Sequence, residues 1–336
     1  MRKRPKIAPL VPVLTLATIL LAGASLFVGP IVLTPSDIVA GLGGQGPSLA
    51  IIVQDLRLPR VALSIGVGGI LGLCGAAAQS LTRNPLAEPA IFGTPQAAAF
   101  GAVAVLYSGT ASAVSLMLPI AAIGAALVSL AAIVWLLRSN SNIVSLLLVG
   151  LGIGSLAGAA TSLVISFSSN PYAIMEIVFW LMGSFEDRSI QHVLLAYPFF
   201  ILCALLIFPC RRGYQALTLG EDVAWSLGIN VRRMALVTVL GIATGVGAGV
   251  AVCGAIGFVG LVAPHLVRPF CNGEPSRLLL PSMLAGAILT TMADITVRLL
   301  PATNEVRVGV LTAFIGVPFF IYLVKNNDGF SGMRSQ

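Results

Sequence analysis

Ten predominantly apolar runs separated by short polar gaps constrain this chain more than any other feature. They fall at about residues 10–28, 61–81, 91–108, 114–137, 143–167, 190–208, 233–252, 256–270, 278–298 and 306–324. Several approach or exceed the ~20 residues that an α-helix needs to cross a bilayer. Charged residues occupy only 9% of the 336 positions, against roughly 25% in a soluble domain. The expected fold is an all-α polytopic membrane protein of about ten transmembrane helices. Residues 1–336 form one integral domain, with no room for a sizeable soluble one. The basic opening, Met1-Arg-Lys-Arg-Pro-Lys6, and the small residues Ala22-Gly23-Ala24 have the outline of a signal peptide. The apolar run from Leu10 to Val28 is nevertheless long enough to span, so an uncleaved first helix is expected.

The formal charge of +7 does not point to nucleic acid, because the basic residues sit mainly in the gaps between apolar runs. There they orient the chain. With the amino terminus inside, fourteen of the 19 Lys and Arg residues fall on the inner side and five on the outer. The positive-inside rule requires that excess, and an even number of spans places both termini in the cytoplasm. The five cysteines, at 74, 203, 210, 253 and 271, show no CxxC spacing and lie mostly in apolar context. They read as small buried residues, with no disulfide or metal implied.

Glycine clusters within the spans, as at 66, 68, 69, 72 and 75 and again at 241, 245, 247 and 249. Small residues three and four apart let helix backbones approach closely. Arg60-Val-Ala-Leu opens one glycine-rich span from outside and Arg233-Met-Ala-Leu another from inside, the outline of an inverted repeat. Two connections are long enough to be functional. Residues 29–60 lie outside and contain Thr34-Pro-Ser-Asp37, a helix start with an acid near the positive end of its dipole. Residues 209–232 lie inside and form two short helical pieces, broken at Gly220 and Gly228 and too polar to span.

Enzyme constellations are absent from the sequence. His192 and His265 are too few and too scattered for a metal site and read as structural hydrogen-bonders. No GxxxxGK[ST] occurs among the glycine runs, so any ATP must be bound by another subunit. An apolar stretch from Gly254 to Val262 meets Pro264-His265 and then Arg268, and reads as a membrane helix interrupted at Pro264. Such interruptions survive only inside protein or beside a water-filled cavity. Asp294 stands four residues before Arg298, the favourable order for an ion pair on one helix face. An intramembrane acid could equally couple protons or cations. Glu176 is expected on a surface helix of the outer segment 168–189, and Glu305 as an outer-face cap. Arg57 and Arg60 stand at the outer mouth of the second span, with Pro59 suited to a first helical turn. Interfacial snorkelling explains two such arginines. With Arg298 they also make a basic outer rim that fits an acidic partner or an anionic substrate.

Taken in order, these stretches resemble the transmembrane permeases of bacterial ABC importers for iron-siderophore, haem and cobalamin. The matching residues are Arg57-Leu-Pro-Arg60; Gln79 with Arg83-Asn-Pro-Leu-Ala-Glu-Pro89; Trp180-Leu-Met-Gly183; and Leu219 through Gly228. They continue with Gly254 through His265 plus Arg268, Ala293-Asp294 with Arg298, Glu305 with Gly309, and Gly316-Val-Pro-Phe319. The resemblance implies a type II ABC importer permease fold that pairs with a second permease subunit, like or unlike itself. It also implies two cytoplasmic ATP-binding subunits, which hold the ATP and Mg, and an extracytoplasmic solute-binding protein. In that family outer arginines receive carboxylates of the binding protein, at positions matched by Arg57, Arg60 and Arg298. The coupling helices match Gly220, Glu221, Ala224, Leu227 and Gly228. Asn84, Pro85, Asn142, Ser145, Pro264 and His265 fall along the translocation path or its gate.

The resemblance implies alternating access in the bacterial inner membrane, among lipid, with a ferric siderophore as the first cargo and haem or cobalamin as alternatives. From another class, a secondary transporter driven by protons or sodium would rest on Asp294 and the glycine-broken helices.

Overall fold

The computed structural model describes residues 10–109, 115–136, 143–300 and 306–326. All regular structure among the described residues is helical. Helix α1 (Leu10–Phe27) leads to α2 (Pro35–Leu42), which starts where expected: Thr34 and Asp37 form a reciprocal capping box. The next helical path runs unbroken from Pro47 to Thr82, as α3 (Pro47–Ala50), a π-helical stretch Ile51–Arg57, and α4 (Leu58–Thr82). Pro59 therefore does not open this path. It sits just after the π-helical stretch, in the first turn of α4, where a proline's missing N–H is easily accommodated.

Helices α5 (Thr94–Tyr107), α6 (Met117–Leu136), α7 (Ile143–Phe167) and α8 (Pro171–Leu181) follow. Glu176 lies on α8. Then come α9 (Ile190–Ile207), α10 (Arg211–Leu217), α11 (Glu221–Ser226), α12 (Val231–Cys253), α13 (Val259–Val267), α14 (Pro275–Leu299) and α15 (Val308–Asn326). Seven helical stretches among the described residues are long and apolar enough to cross a membrane, with shorter apolar helices between them. The chain is a multi-pass membrane protein.

Helix α4 is the hub. Its 25 residues span about 37 Å, so Arg60 and Arg83 mark opposite ends of the bundle. Helix α14 runs antiparallel against it, and the predicted small-residue packing is what joins them. A Cβ on Gly72 would lie 2.1 Å from the Ser282 carbonyl oxygen, and one on Gly286 2.2 Å from that of Gly68. Thr290 Oγ1, fully buried, donates to the Ser64 carbonyl at 2.7 Å; interhelical hydrogen bonds of this kind average about 0.6 kcal/mol. Helix α12 also packs antiparallel to α4, Gly249 beside Val67 and Gly245 beside Ile70. Cys74 of α4 meets Cys203 of α9, their sulfurs 3.5 Å apart in the core.

The runs at 91–108 and 256–270 are where the structure departs from plain spans. After Thr82 the chain turns at Arg83, whose backbone is left-handed, and folds back into the bundle. Gly93 abuts Gly150 and Gly154 of α7, and Glu88 shares a cavity of about 170 Å³ with Leu71, near the middle of α4. Helix α5 thus starts at depth and needs only 14 residues. The expected break at Pro264 lies elsewhere. Residues 254–257 are unwound, Phe258 is left-handed, and Pro264 lies inside the nine-residue α13. That helix begins beside Leu71 and Gly75 and ends at Arg268, which donates to Gln79 Oε1.

Candidate functional site

The two ends of α4 carry different chemistry. At the Arg60 end, the connection between α1 and α2 leaves carbonyls without helical partners, as every helix terminus does. Arginines fill them. Arg57 is 6% exposed and donates to the carbonyls of Leu26 and Ile31. Arg298 donates to those of Ser25 at 3.0 Å and Val28 at 2.8 Å, and also to the Ser25 hydroxyl. The carboxylate of Asp294, 0% exposed, is held on both sides, with Oδ1 2.9 Å from Arg60 Nε and Oδ2 2.8 Å from Arg298 Nη2. The i,i+4 pair expected from sequence is present, and Arg60 is a third member that sequence reasoning missed.

The three arginines anticipated as a rim therefore come together, but as a braced cluster. Arg57 and Arg298 are buried, and Arg60 is the most exposed of them. All three line a cavity of about 270 Å³ with Glu186, Asp187 and Arg188. Burial lowers the Arg188 pKa from its ordinary value. Glu186 pairs with Arg307, whose guanidinium lies 5.4 Å from the Phe179 ring centre. This second charged group was also missed, although the triplet Glu186-Asp187-Arg188 in an otherwise apolar outer segment was its signal.

At the Arg83 end, α10 and α11 form a short lobe. It is seated by the buried Tyr214 hydroxyl, 2.7 Å from Thr238 Oγ1, and by the Met234 sulfur packed against Gly213. Gly220 (φ +103°) and Gly228 (φ +80°) bracket α11, so both predicted breaks stand. Glu221 and Asp222 occupy the first turn, where acids favour the helix dipole. Ala224 faces inward and is fully buried; it seats the lobe and offers no surface to a partner. Leu219, Trp225 and Leu227 project outward, Trp225 at 70% exposure. Glu221 lies 4.0 Å from Arg83, a surface pair worth at most ~1 kcal/mol.

The six anticipated path residues divide. Asn84 caps its own turn by accepting the Leu86 N–H at 2.9 Å, with Pro85 between. Pro264 is buried in α13, and the His265 ring meets Phe319 of α15 edge-on with centres 6.4 Å apart. Ser145 is half-buried in the first turn of α7. Asn142 and Glu305 lie outside the described residues. His192 takes the capping-box position of α9, its Nδ1 accepting the Ser189 N–H at 3.2 Å. No group of three His, Cys, Asp or Glu able to hold a metal occurs among the described residues.

In sequence and in helical fold the chain matches ABC transporter permeases. Residues 15–326 match the FecCD transport family, and the chain belongs to it. It is 38% identical to the vitamin B12 import system permease protein BtuC of Vibrio cholerae, covering 90% of each chain. It is 33% identical to the Fe(3+)-citrate import system permease protein YfmE of Bacillus subtilis, covering 96% of each. A metal-chelate-type ABC transporter solved in an inward-facing conformation superposes with a TM-score of 0.83 at 30% identity, over 96% of this chain and all of that one.

Proposed function

We propose that the chain is the permease subunit of an ATP-driven bacterial importer of metal chelates, with a ferric siderophore as first cargo and haem or cobalamin as alternatives. One observation carries this reading: α4 joins the arginine cavity to the glycine-bracketed lobe in a chain whose relatives are named for ferric citrate and vitamin B12 import. The Arg60 end faces outward, where Arg60, backed by Arg57 and Arg298, meets acidic groups of a solute-binding protein. The lobe faces the cytoplasm, as do both termini. There Gly220, Glu221, Leu227 and Gly228 seat against an ATP-binding subunit that holds ATP and Mg, and Ala224 sets the lobe's position from behind. A second permease subunit, a second ATPase and membrane lipid complete the assembly in the inner membrane.

The test is ATP hydrolysis in liposomes containing this chain, the ATPase encoded beside it and the adjacent binding protein. The panel is a set of ferric siderophores, ferric citrate, haem and cobalamin. Stimulation by one loaded binding protein is expected and would name the cargo. Failure to assemble with any ATPase, together with uptake that an ionophore abolishes, would replace this reading with ion-coupled transport. The buried brace of two arginines around Asp294 supports a structural acid over a carrier of protons.

A further inference from the structure

We propose that Glu88 is a positioning residue that links the lobe end of the bundle to α15 through the unwound segment 254–258. The inference rests on the coupling role assigned above to α11. Glu88 is the only acid between Asp55 and Glu176, and the re-entrant chain carries it to the level of Leu71, where a carboxylate is expensive unless it has a task. Its Oε1 accepts the N–H of Phe258 at 2.9 Å.

Phe258 is unusual twice over. It holds a left-handed backbone (φ +66°), rare for a bulky side chain. It also occupies the N-cap of α13 without a capping side chain. Glu88 supplies from outside the acceptor that the third-residue side chain of a capping box would offer the N-cap N–H, and its charge favours the positive end of α13.

The ring of Phe258 then keys α15. A Cβ on Gly316 would lie 2.5 Å from Phe258 Cβ, so only glycine lets the two elements sit this close. A second key lies about two turns away: the Gly309 N–H donates to the Gly183 carbonyl at 3.2 Å, and Gly309 backs onto the Ala255 carbonyl. In the other direction Glu88 follows five residues after Arg83, the residue beside Glu221 of α11. One route from α11 to α15 therefore runs through the exposed Glu221–Arg83 pair at 4.0 Å and then the Glu88–Phe258 hydrogen bond at 2.9 Å, the step within the bundle that joins the two separate segments.

The test uses the full permease with its ATPase in nanodiscs, spin-labelled at Leu219→Cys or Val317→Cys in a Cys210→Ser background. Both labelled sites are exposed, and the other four cysteines are buried. ATP with vanadate should shift the Leu219 label in every variant. The Val317 label should shift in the unmodified chain and in Glu88→Gln, which keeps the acceptor, and the shift should be lost in Glu88→Leu. Phe258→Gly keeps the backbone N–H but removes the wedge, and should lose the Val317 shift too, which covers the case of a Glu88→Leu complex that does not assemble. A Val317 shift that survives in Glu88→Leu or Phe258→Gly overturns the link, as does its loss in Glu88→Gln. A Leu219 label that stays silent in the unmodified chain overturns the coupling reading, and this inference with it.

Discussion

Replacing Asp294 by Asn asks how much the brace at the Arg60 end is worth. The acid is fully buried, and the Arg298 and Arg60 side chains are 5% and 13% exposed, so neither cation can recover full hydration where it stands. Removing one partner of a buried, hydrogen-bonded charge group costs about 3–5 kcal/mol. The low end applies here, because Arg298 keeps its bonds to Ser25 and Val28 and Arg60 retains some water. Asp294→Asn should therefore destabilise by about 3 kcal/mol, measured as SDS-induced unfolding in mixed micelles and followed by tryptophan fluorescence. Arg298→Gln should also destabilise, through the orphaned carbonyls of α1, at about 1–3 kcal/mol per lost partner. The double variant should cost less than the sum of the two, with a coupling of about 0.5–3 kcal/mol. Full additivity, or an Asp294→Asn effect within about 0.5 kcal/mol of zero as at an ordinary surface site, would refute the idea that these charges are buried and mutually compensating.

Two further outcomes test the packing and the lobe. Gly75→Ala should sharply lower the folded yield on size-exclusion chromatography, because its Cβ would lie 1.8 Å from the Gly260 carbonyl oxygen with backbone on both sides; Gly124→Ala, with nothing within 4 Å, should leave it unchanged. Trp225→Ala with Leu227→Ala should weaken capture of the purified ATPase by roughly 10–100-fold, about 1.4–2.8 kcal/mol. Glu221→Arg combined with Gly220→Pro should abolish that capture while membrane insertion persists, and normal co-purification of either variant would remove α11 from the coupling interface.

What could be read in advance, and what could not, divides along physical lines. Helices α7 and α9 lie within a residue of their expected bounds, because an uninterrupted apolar run allows few alternatives to a helix in lipid. The lobe was legible because glycines stand at both of its breaks, but sequence alone did not tell that Ala224 faces in while Trp225 faces out. Hydropathy carries no information on depth, so Glu88 reads in sequence as part of a gap between ordinary spans at 61–81 and 91–108. The position of the break near α13 was misread for a related reason. Gly254, Gly257 and Pro264 are all competent helix breakers, and local chemistry does not rank them. Pro264 is accommodated inside α13, where the carbonyl it deprives of a partner, that of Gly260, faces Gly75. The unwound stretch falls instead where Glu88 arrives to satisfy an N–H. The outer arginines follow the same logic. Charge bias assigns them an expected side of the membrane, whereas their burial depends on carbonyls between Ser25 and Ile31 that become orphans only once α1 ends. In each case the missing information was the partner of a backbone group. In a bilayer every such group must be satisfied from within the protein, so a lone acid such as Glu88 in an apolar stretch is best read as a search for a backbone N–H.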